Sequence, residues 1–184
     1  MKKILMIVGK SGSGKDEAVK FLQKEFDIPQ IVSYTTRDMR AGEIDGVEHH
    51  FISKDMVPHR DIMFAYTVLG GNEYYTTISQ ITEAFQCRDE VSYIVDDKGV
   101  KDIIDFVNGH PITMCDVKPL SIYIDVDDET LIKRGVCSER MKRDASRIDA
   151  GDIKYDYCVD NNGTIETLRN QLDNIIKQIR EDYE

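Results

Sequence analysis

No stretch of this chain approaches the ~20 consecutive apolar residues of a bilayer-spanning helix, so no membrane span is expected. The start, MKKILMIVGK, places two lysines before an apolar run, but the run stops after Val8 at Gly9 and Lys10. It is shorter than the roughly 7–15 residues of a signal-peptide core, and the expectation is a cytoplasmic protein without a membrane partner. Cysteines are scattered: Cys87, Cys115, Cys137 and Cys158 form no C-x-x-C pair. That spacing argues against a disulfide framework or zinc site and for reduced thiols. Basic charge is in deficit, with 24 Lys and Arg against 34 Asp and Glu and a net charge of -10. Proteins that grip a nucleic-acid backbone carry a basic surface, so nucleic acid is not expected as a partner. A small anion needs only a local basic pocket and stays open. The chain also lacks internal repeats, low-complexity tracts, flexible linkers, and any spacing that points to a Ser-His-Asp or Cys-His arrangement.

What is present fits one domain: 184 residues, 41% of them apolar, are enough for a substantial core. Ile4 to Val8 is a continuous apolar run, as expected of a strand buried on both faces of a parallel sheet. Asp16 to Phe26 carries Ala18, Val19, Leu22 and Phe26 at helical spacing. Further strands are expected at Val91 to Val95, Ser121 to Val126 and Tyr157 to Val159. Helices are expected at Lys98 to Val107 and Thr164 to Arg180, the latter with a stripe of Ile165, Leu168, Leu172, Ile175 and Ile179. Strands alternating with helices argue for an α/β fold with a parallel sheet flanked by helices. Gln30 to Gln80 is rich in Thr, Tyr, Gly and charge and lacks a long helical stripe. It reads as a substrate-binding insertion with short strands.

Between the first strand and helix lies GKSGSGKDEAV, Gly9 to Val19. It matches the phosphate-loop pattern G-x-x-x-x-G-K-[ST] at Gly9, Gly14 and Lys15, but Asp16 stands where a hydroxyl is usual. The glycines let successive N–H groups turn inward on phosphates, and the helix N-terminus adds its dipole. Gly9, Ser11, Gly12, Ser13, Gly14, Lys15 and Asp16 are therefore candidate ATP contacts, with Lys15 reaching the β- and γ-phosphates. Asp16 has two readings: a hard oxygen ligand for Mg²⁺, or a first-turn acid favoured by the helix dipole. Neither abolishes phosphate binding, because most of the cradle is backbone.

A second cluster, SYTTRDMRAGEIDGVEHHF, runs from Ser33 to Phe51. Arg37 and Arg40 beside hydroxyls form a fork suited to a monophosphate. The alternative is an exposed loop whose arginines pair with Asp38, Glu43 and Asp45. Here the chain resembles the guanylate kinase family, whose pattern S-x-x-T-T-R-x-x-R-x-x-E-x-x-G-x-x-Y-x-F is matched at Ser33, Thr35, Thr36, Arg37, Arg40, Glu43, Gly46 and Phe51. A third stretch, MFAYTVLGGNEYYTT, is similar to the family's F-I-E-W/Y-A-x-x-x-G-N-Y-Y-G-S/T at Gly71, Asn72, Tyr74 and Thr76. The resemblance implies that Tyr74 contacts the monophosphate and Thr76 the guanine. A fourth, Val91 to Gly99, is similar to the family's D-x-D-x-x-G-V. It implies that Asp96 reads the guanine edge, with Ile94 at the first acid and Asp97 a substitute near the metal.

The fifth stretch is basic. Lys133, Arg134, Arg140, Lys142, Arg143 and Arg147 face only Glu139 and Asp144 between Lys133 and Arg147. In monophosphate kinases a lid of arginines covers the transferring phosphoryl group and excludes water. The alternative is a solvated helix face, since Arg140, Arg143 and Arg147 lie one turn apart. His49 stands at a family Tyr that contacts the monophosphate, and an imidazole can still donate there. His50, His59 and His110 read as structural, surface or turn residues.

The resemblance spans nearly the whole chain and implies a P-loop nucleoside monophosphate kinase fold. Residues 1–184 would form one kinase domain: a core of 1–32 and 81–184, a mixed α/β monophosphate-binding insertion at 33–80, and a short lid at 133–150. It implies transfer of the ATP γ-phosphate to GMP or dGMP with ATP and Mg²⁺. Lys15, Arg134, Arg140, Arg143 and Arg147 would be catalytic. Ser33, Arg37, Arg40, His49, Tyr74, Thr76 and Asp96 would hold the monophosphate, and Asp16, Asp96 and Asp97 would meet the metal directly or through water. The departures lie in the site: Asp16, Ile94, His49, and above all Ala65 where the family has a Glu paired with guanine N1–H and the 2-amino group. Losing a hydrogen-bonding partner relaxes base choice, so another (deoxy)nucleoside monophosphate is the alternative acceptor. A non-catalytic, protein-binding module of the same fold is the other alternative, and monomer and homodimer are both open.

Overall fold

The structure, a computed structural model, describes residues 1–110, 114, 116–146 and 153–183, with the backbone alone at residues 143, 145 and 146. In chain order the elements are β1 (Lys2–Val8), α1 (Lys15–Phe26), β2 (Gln30–Ile31), β3 (Tyr34–Thr35), β4 (His50–Phe51), β5 (Met63–Leu69) and β6 (Asn72–Thr77). They continue with α2 (Ile78–Cys87), β7 (Glu90–Ile94), α3 (Asp97–Gly109), β8 (Val117–Asp125), α4 (Asp128–Lys133), α5 (Ser138–Ser146), β9 (Tyr157–Asp160) and α6 (Ile165–Asp182). Two short 3₁₀ turns, Lys54–Met56 and Arg60–Ile62, precede β5.

Five strands form one sheet in the order β2-β7-β1-β8-β9, and every pairing is parallel. β1 is central, which is why its apolar run is unbroken. Successive side chains of a strand point to opposite faces. Ile4, Met6 and Val8 pack with Ile81 and Phe85 of α2 and Val100, Ile103 and Val107 of α3. Leu5 and Ile7 pack on the other face with Ala18, Val19 and Leu22 of α1 and with α6. The buried stripe of α6 is Leu168, Leu172, Ile176 and Ile179, whereas Ile165 is 47% exposed and Ile175 only partly buried. The stripe expected from the sequence is thus shifted by one residue at Ile176, which sits four positions beyond Leu172 and so on the same face.

The second sheet has the order β4-β3-β6-β5, with β3–β4 parallel and the other pairs antiparallel. Its register shifts between Met63 and Ala65, a bulge that re-aims the side chains beside it. Helix α2 follows β6 without a break and is opened by a capping box. Thr77 Oγ1 accepts from the Gln80 amide and Gln80 Oε1 accepts from the Thr77 amide. The sequence reading ended its insertion inside this helix and did not identify it. Among the described residues, no helix is long and apolar enough to cross a membrane.

At the base of the first sheet, Glu90 accepts from Lys3 at 3.1 Å and from Arg180 at 3.0 and 2.5 Å, tying β7 to β1 and α6. Burial raises the Glu90 carboxyl, but the hydrogen bonds from Arg180 and Lys3 outweigh it and leave the pKa below the usual range. A carboxyl depressed in the folded state stabilises above its unfolded pKa and loses that contribution as pH falls through the folded value. Glu90→Gln is therefore expected to lower the melting temperature near neutral pH, with the gap to the native protein closing below about pH 4. Thermal denaturation across that range checks it, and a gap independent of pH would show that charge is not the source.

Candidate active site

The loop joining β1 to α1 bends through left-handed glycines. Gly14, with φ 103°, caps α1, and a Cβ there would lie 2.5 Å from Asn161 Nδ2. That amide donates to the Ser13 carbonyl at 2.7 Å, so the end of β9 braces the loop from below. From above, Val136 leaves no room for a side chain at Gly12, where a Cβ would lie 2.4 Å from its Cγ2. Arg134 spans both supports, donating to the carbonyls of Gly12 at 3.2 Å and Asn161 at 2.6 Å. These contacts brace the loop around its opening, and its Ser13 amide donates to the Lys10 carbonyl at 3.1 Å.

Two charged side chains occupy that opening. Lys15 Nζ donates to the carbonyls of Gly9 and Lys10 at 2.9 and 2.8 Å. Asp144 of α5 is 5% exposed, and its Oδ2 accepts from the Ser11 amide at 2.6 Å. A carboxylate oxygen thus sits on a loop amide, where a glycine-rich loop offers its N–H groups to an anion. Sequence reasoning counted Asp144 only as an acid among lid arginines.

A single groove runs from this loop to the second sheet. Its walls include Ser11, Gly12, Lys15 and Asp16 on one side and Arg37, Arg40 and Tyr74 on the other, with Arg140 of α5 above. Arg37 is fixed by a two-pronged pair with Glu43, at 3.0 and 2.9 Å, and lies over the Phe51 ring. Glu43 also accepts from the Arg40 amide at 2.7 Å. Burial raises the Glu43 carboxyl, but the Arg37 pair and the Arg40 amide more than offset it, and the group stays ionised below the usual range. The paired-loop alternative and the groove-lining position therefore coexist, because Glu43 holds the guanidinium while it lines the groove. Ser33 Oγ meets His49 Nδ1 at 2.8 Å. Burial, and then the nearby Arg37 charge, lower the His49 pKa, so the ring is neutral near neutral pH.

Other expected residues fall elsewhere. Thr76 is fully buried, and its hydroxyl donates to Tyr93 at 3.0 Å behind the groove wall rather than lining it. Asp97 turns to the Tyr155 hydroxyl and does not line the groove. Arg134 braces the loop instead of lining the groove. Arg147, the lid residues 147–150 and the Arg143 side chain lie outside the described residues. Asp96 lines the inner end, caps α3 through the Gly99 amide at 2.8 Å and accepts from Thr67 at 2.9 Å.

Among the described residues, no three His, Cys, Asp or Glu side chains gather as a metal cage. Asp16 is exposed on the groove wall beside Lys15.

A family model described as guanylate kinase matches residues 1–179. The guanylate kinase of Haemophilus influenzae is 31% identical over 188 residues, covering 95% of this chain and 88% of its own. That of Sulfurimonas denitrificans is 28% identical over 179 residues, covering 90% of this chain and 83% of its own. The crystal structure of guanylate kinase from Anaplasma phagocytophilum superposes with a TM-score of 0.68 at 21% identity, covering 99% of this chain and 86% of that one.

The Asp144 contact has a consequence for nucleotide affinity. An incoming phosphate must displace the carboxylate, so Asp144→Asn is expected to tighten ATP binding about 3- to 10-fold, since charge-assisted bonds are roughly twice as strong as neutral ones. Isothermal titration checks this; unchanged or weaker affinity would show that the carboxylate does not compete.

Proposed function

This chain belongs to the guanylate kinase family of ATP-dependent nucleoside monophosphate kinases, and we propose that it transfers the γ-phosphate of ATP to GMP or dGMP. The observation that carries the reading is the shared groove: a phosphate loop and an arginine-based anion station face each other across one cavity. Two phosphates held at its ends meet in the middle, where positioning and charge neutralisation supply most of the catalysis.

In this reading the loop amides and Lys15 hold the ATP phosphates. Arg37, Arg40, Ser33, His49 and Tyr74 hold the acceptor phosphate, with residues 33–80 as the acceptor-binding insertion. Glu43 pre-orients Arg37, so less side-chain freedom is lost on binding. Residues 133–150 act as the lid, and Arg140 reaches the groove from it. Mg²⁺, when bound, would neutralise charge developing between the two nucleotides, with Asp16 as its protein contact. Little covalent chemistry falls to the protein. The retained loop, Lys15 and Arg140 support an enzyme over a non-catalytic module.

The test is ADP formation from ATP, Mg²⁺ and GMP. Lys15→Ala is expected to lower kcat by about 100-fold or more, in the range of a lost transition-state contact. Arg37→Ala is expected to raise the KM for GMP by about 10- to 100-fold, the cost of a charged hydrogen-bond partner of ~1.5–3 kcal/mol, with the KM for ATP little changed. A folded native protein with no turnover would sink the kinase reading, and equal loss of both KM values in Arg37→Ala would remove Arg37 from the acceptor station.

A further inference from the structure

Strand β5 is the outer strand of the second sheet, next to β6. In an antiparallel pair the N–H and C=O of one residue point to the same side, and successive residues alternate. Every second residue of an outer strand therefore turns both peptide groups away from its neighbour, where no strand pairs with them.

Tyr66 is such a residue, and helix α3 takes both of its peptide groups. Lys98 Nζ donates to the Tyr66 carbonyl at 2.8 Å, and the Tyr66 amide donates to Asp102 Oδ2 at 3.4 Å. Lys98 and Asp102 lie four residues apart on one face of α3 and pair with each other. Two side chains of a core helix thus stand where a further strand would bind. One residue on, the Thr67 hydroxyl donates to Asp96, the cap of α3, at 2.9 Å. Consecutive residues of β5 are held by the start of one core helix.

From Tyr66 the bonding continues toward Arg37. The Tyr66 hydroxyl donates to the Glu73 carboxylate of β6 at 3.0 Å, and the Arg60 guanidinium lies over its ring. The Glu73 carbonyl accepts from the Thr35 hydroxyl at 3.0 Å and from the Thr36 amide at 3.1 Å. The Glu73 amide donates to the Thr36 hydroxyl at 2.9 Å. The Thr35 hydroxyl in turn accepts from the Arg37 amide at 3.1 Å. An exposed pair of charges four apart on a helix adds little to stability by itself, and the Lys98 and Asp102 side chains keep 54% and 31% of their exposure. Their place against β5 gives them another role.

We propose that Lys98 and Asp102 are positioning residues for the acceptor: their grip on the Tyr66 peptide sets how the second sheet, with Arg37, sits against the core that carries the phosphate loop. The inference rests on the monophosphate-kinase reading above and adds to it two residues that lie outside the groove. The groove narrows inward between Tyr66 and Thr67 of β5 and Ile94, Val95 and Asp96 of the core. An acceptor held by the second sheet meets both bodies, so its binding depends on their spacing. The ATP phosphates sit on the core loop and do not depend on it.

The experiment is steady-state kinetics with ATP, Mg²⁺ and GMP, beside thermal denaturation of each variant. Lys98→Met keeps the hydrocarbon stem and removes the donor. It is expected to raise the KM for GMP about 3- to 20-fold, the range of changes made at residues that touch neither ligand. The KM for ATP is expected to stay within about twofold and the melting temperature within about 3 °C, as for loss of an exposed pair. Lys98→Arg, which can still donate to both partners, is expected to bring the KM for GMP back within about twofold of the native value. The double variant Lys98→Met with Asp102→Ala is expected to be less impaired than the product of the two single effects, because the two side chains form one grip. An unchanged KM for GMP, equal rises in both KM values, or no rescue by Lys98→Arg would overturn the proposal while leaving the kinase intact. A large fall in melting temperature with both KM values unchanged would also overturn it, by marking the pair as a contact of the fold alone. Absence of turnover in the native protein would instead remove the kinase reading beneath it.

Discussion

The hydrogen bond from the buried Asn161 amide to the Ser13 carbonyl joins the end of β9 to the middle of the phosphate loop. It holds the loop from which Lys15 and Asp16 enter the groove. The loop is glycine-rich so that its amides can turn inward, and glycine's conformational freedom would otherwise let the loop collapse. Asn161, Val136, and Arg134, which is bonded to both Gly12 and Asn161, restrict it. α1 starts directly from that loop, so the orientation of Lys15 and Asp16 follows from the same bracing.

Electrostatics in the groove run against the overall charge of the chain. A protein of net charge -10 would repel nucleotides, yet the groove brings Lys15, Arg37, Arg40 and Arg140 together. Such a cluster is costly without counter-ions, and Glu43 and Asp144 supply them from within. Their roles differ. Glu43 binds the side of Arg37 and leaves it lining the groove, which orders the anion station. Asp144 binds the loop amide itself, in the position of a ligand. The groove is thus pre-ordered around Arg37 and carries a carboxylate on the loop amide.

Much of the fold was legible because its signals are local. The run Ile4 to Val8 specified a central strand, since only a strand covered on both faces is apolar at every position. The Gly9 to Lys15 spacing marked the loop, and the Arg37 and Arg40 spacing marked two side chains that line the groove. Family membership followed from the same motifs. Helix α2 was not legible as a stripe, although its capping box, Thr77 and Gln80, stood in the sequence, because its ten residues bury only Ile81 and Phe85. The stripe of α6 slipped at one residue because Ile175 and Ile176 are both apolar, and packing chooses between them.

The sequence by itself determined the strand–loop–helix unit, the alternation of strands and helices, and the residue types able to hold phosphates. Tertiary structure alone decided which of those side chains share the groove. It turned Thr76 toward Tyr93 and Asp97 toward Tyr155, put Arg134 under the loop, and set Asp144 on the Ser11 amide. The physical reason is distance along the chain. Ser11 and Asp144 are 133 residues apart, and Ser13 and Asn161 are 148 apart. Backbone propensity and periodicity act over a few residues, whereas such pairs arise only when strands and helices stack, and stacking is set by the packing of the whole core.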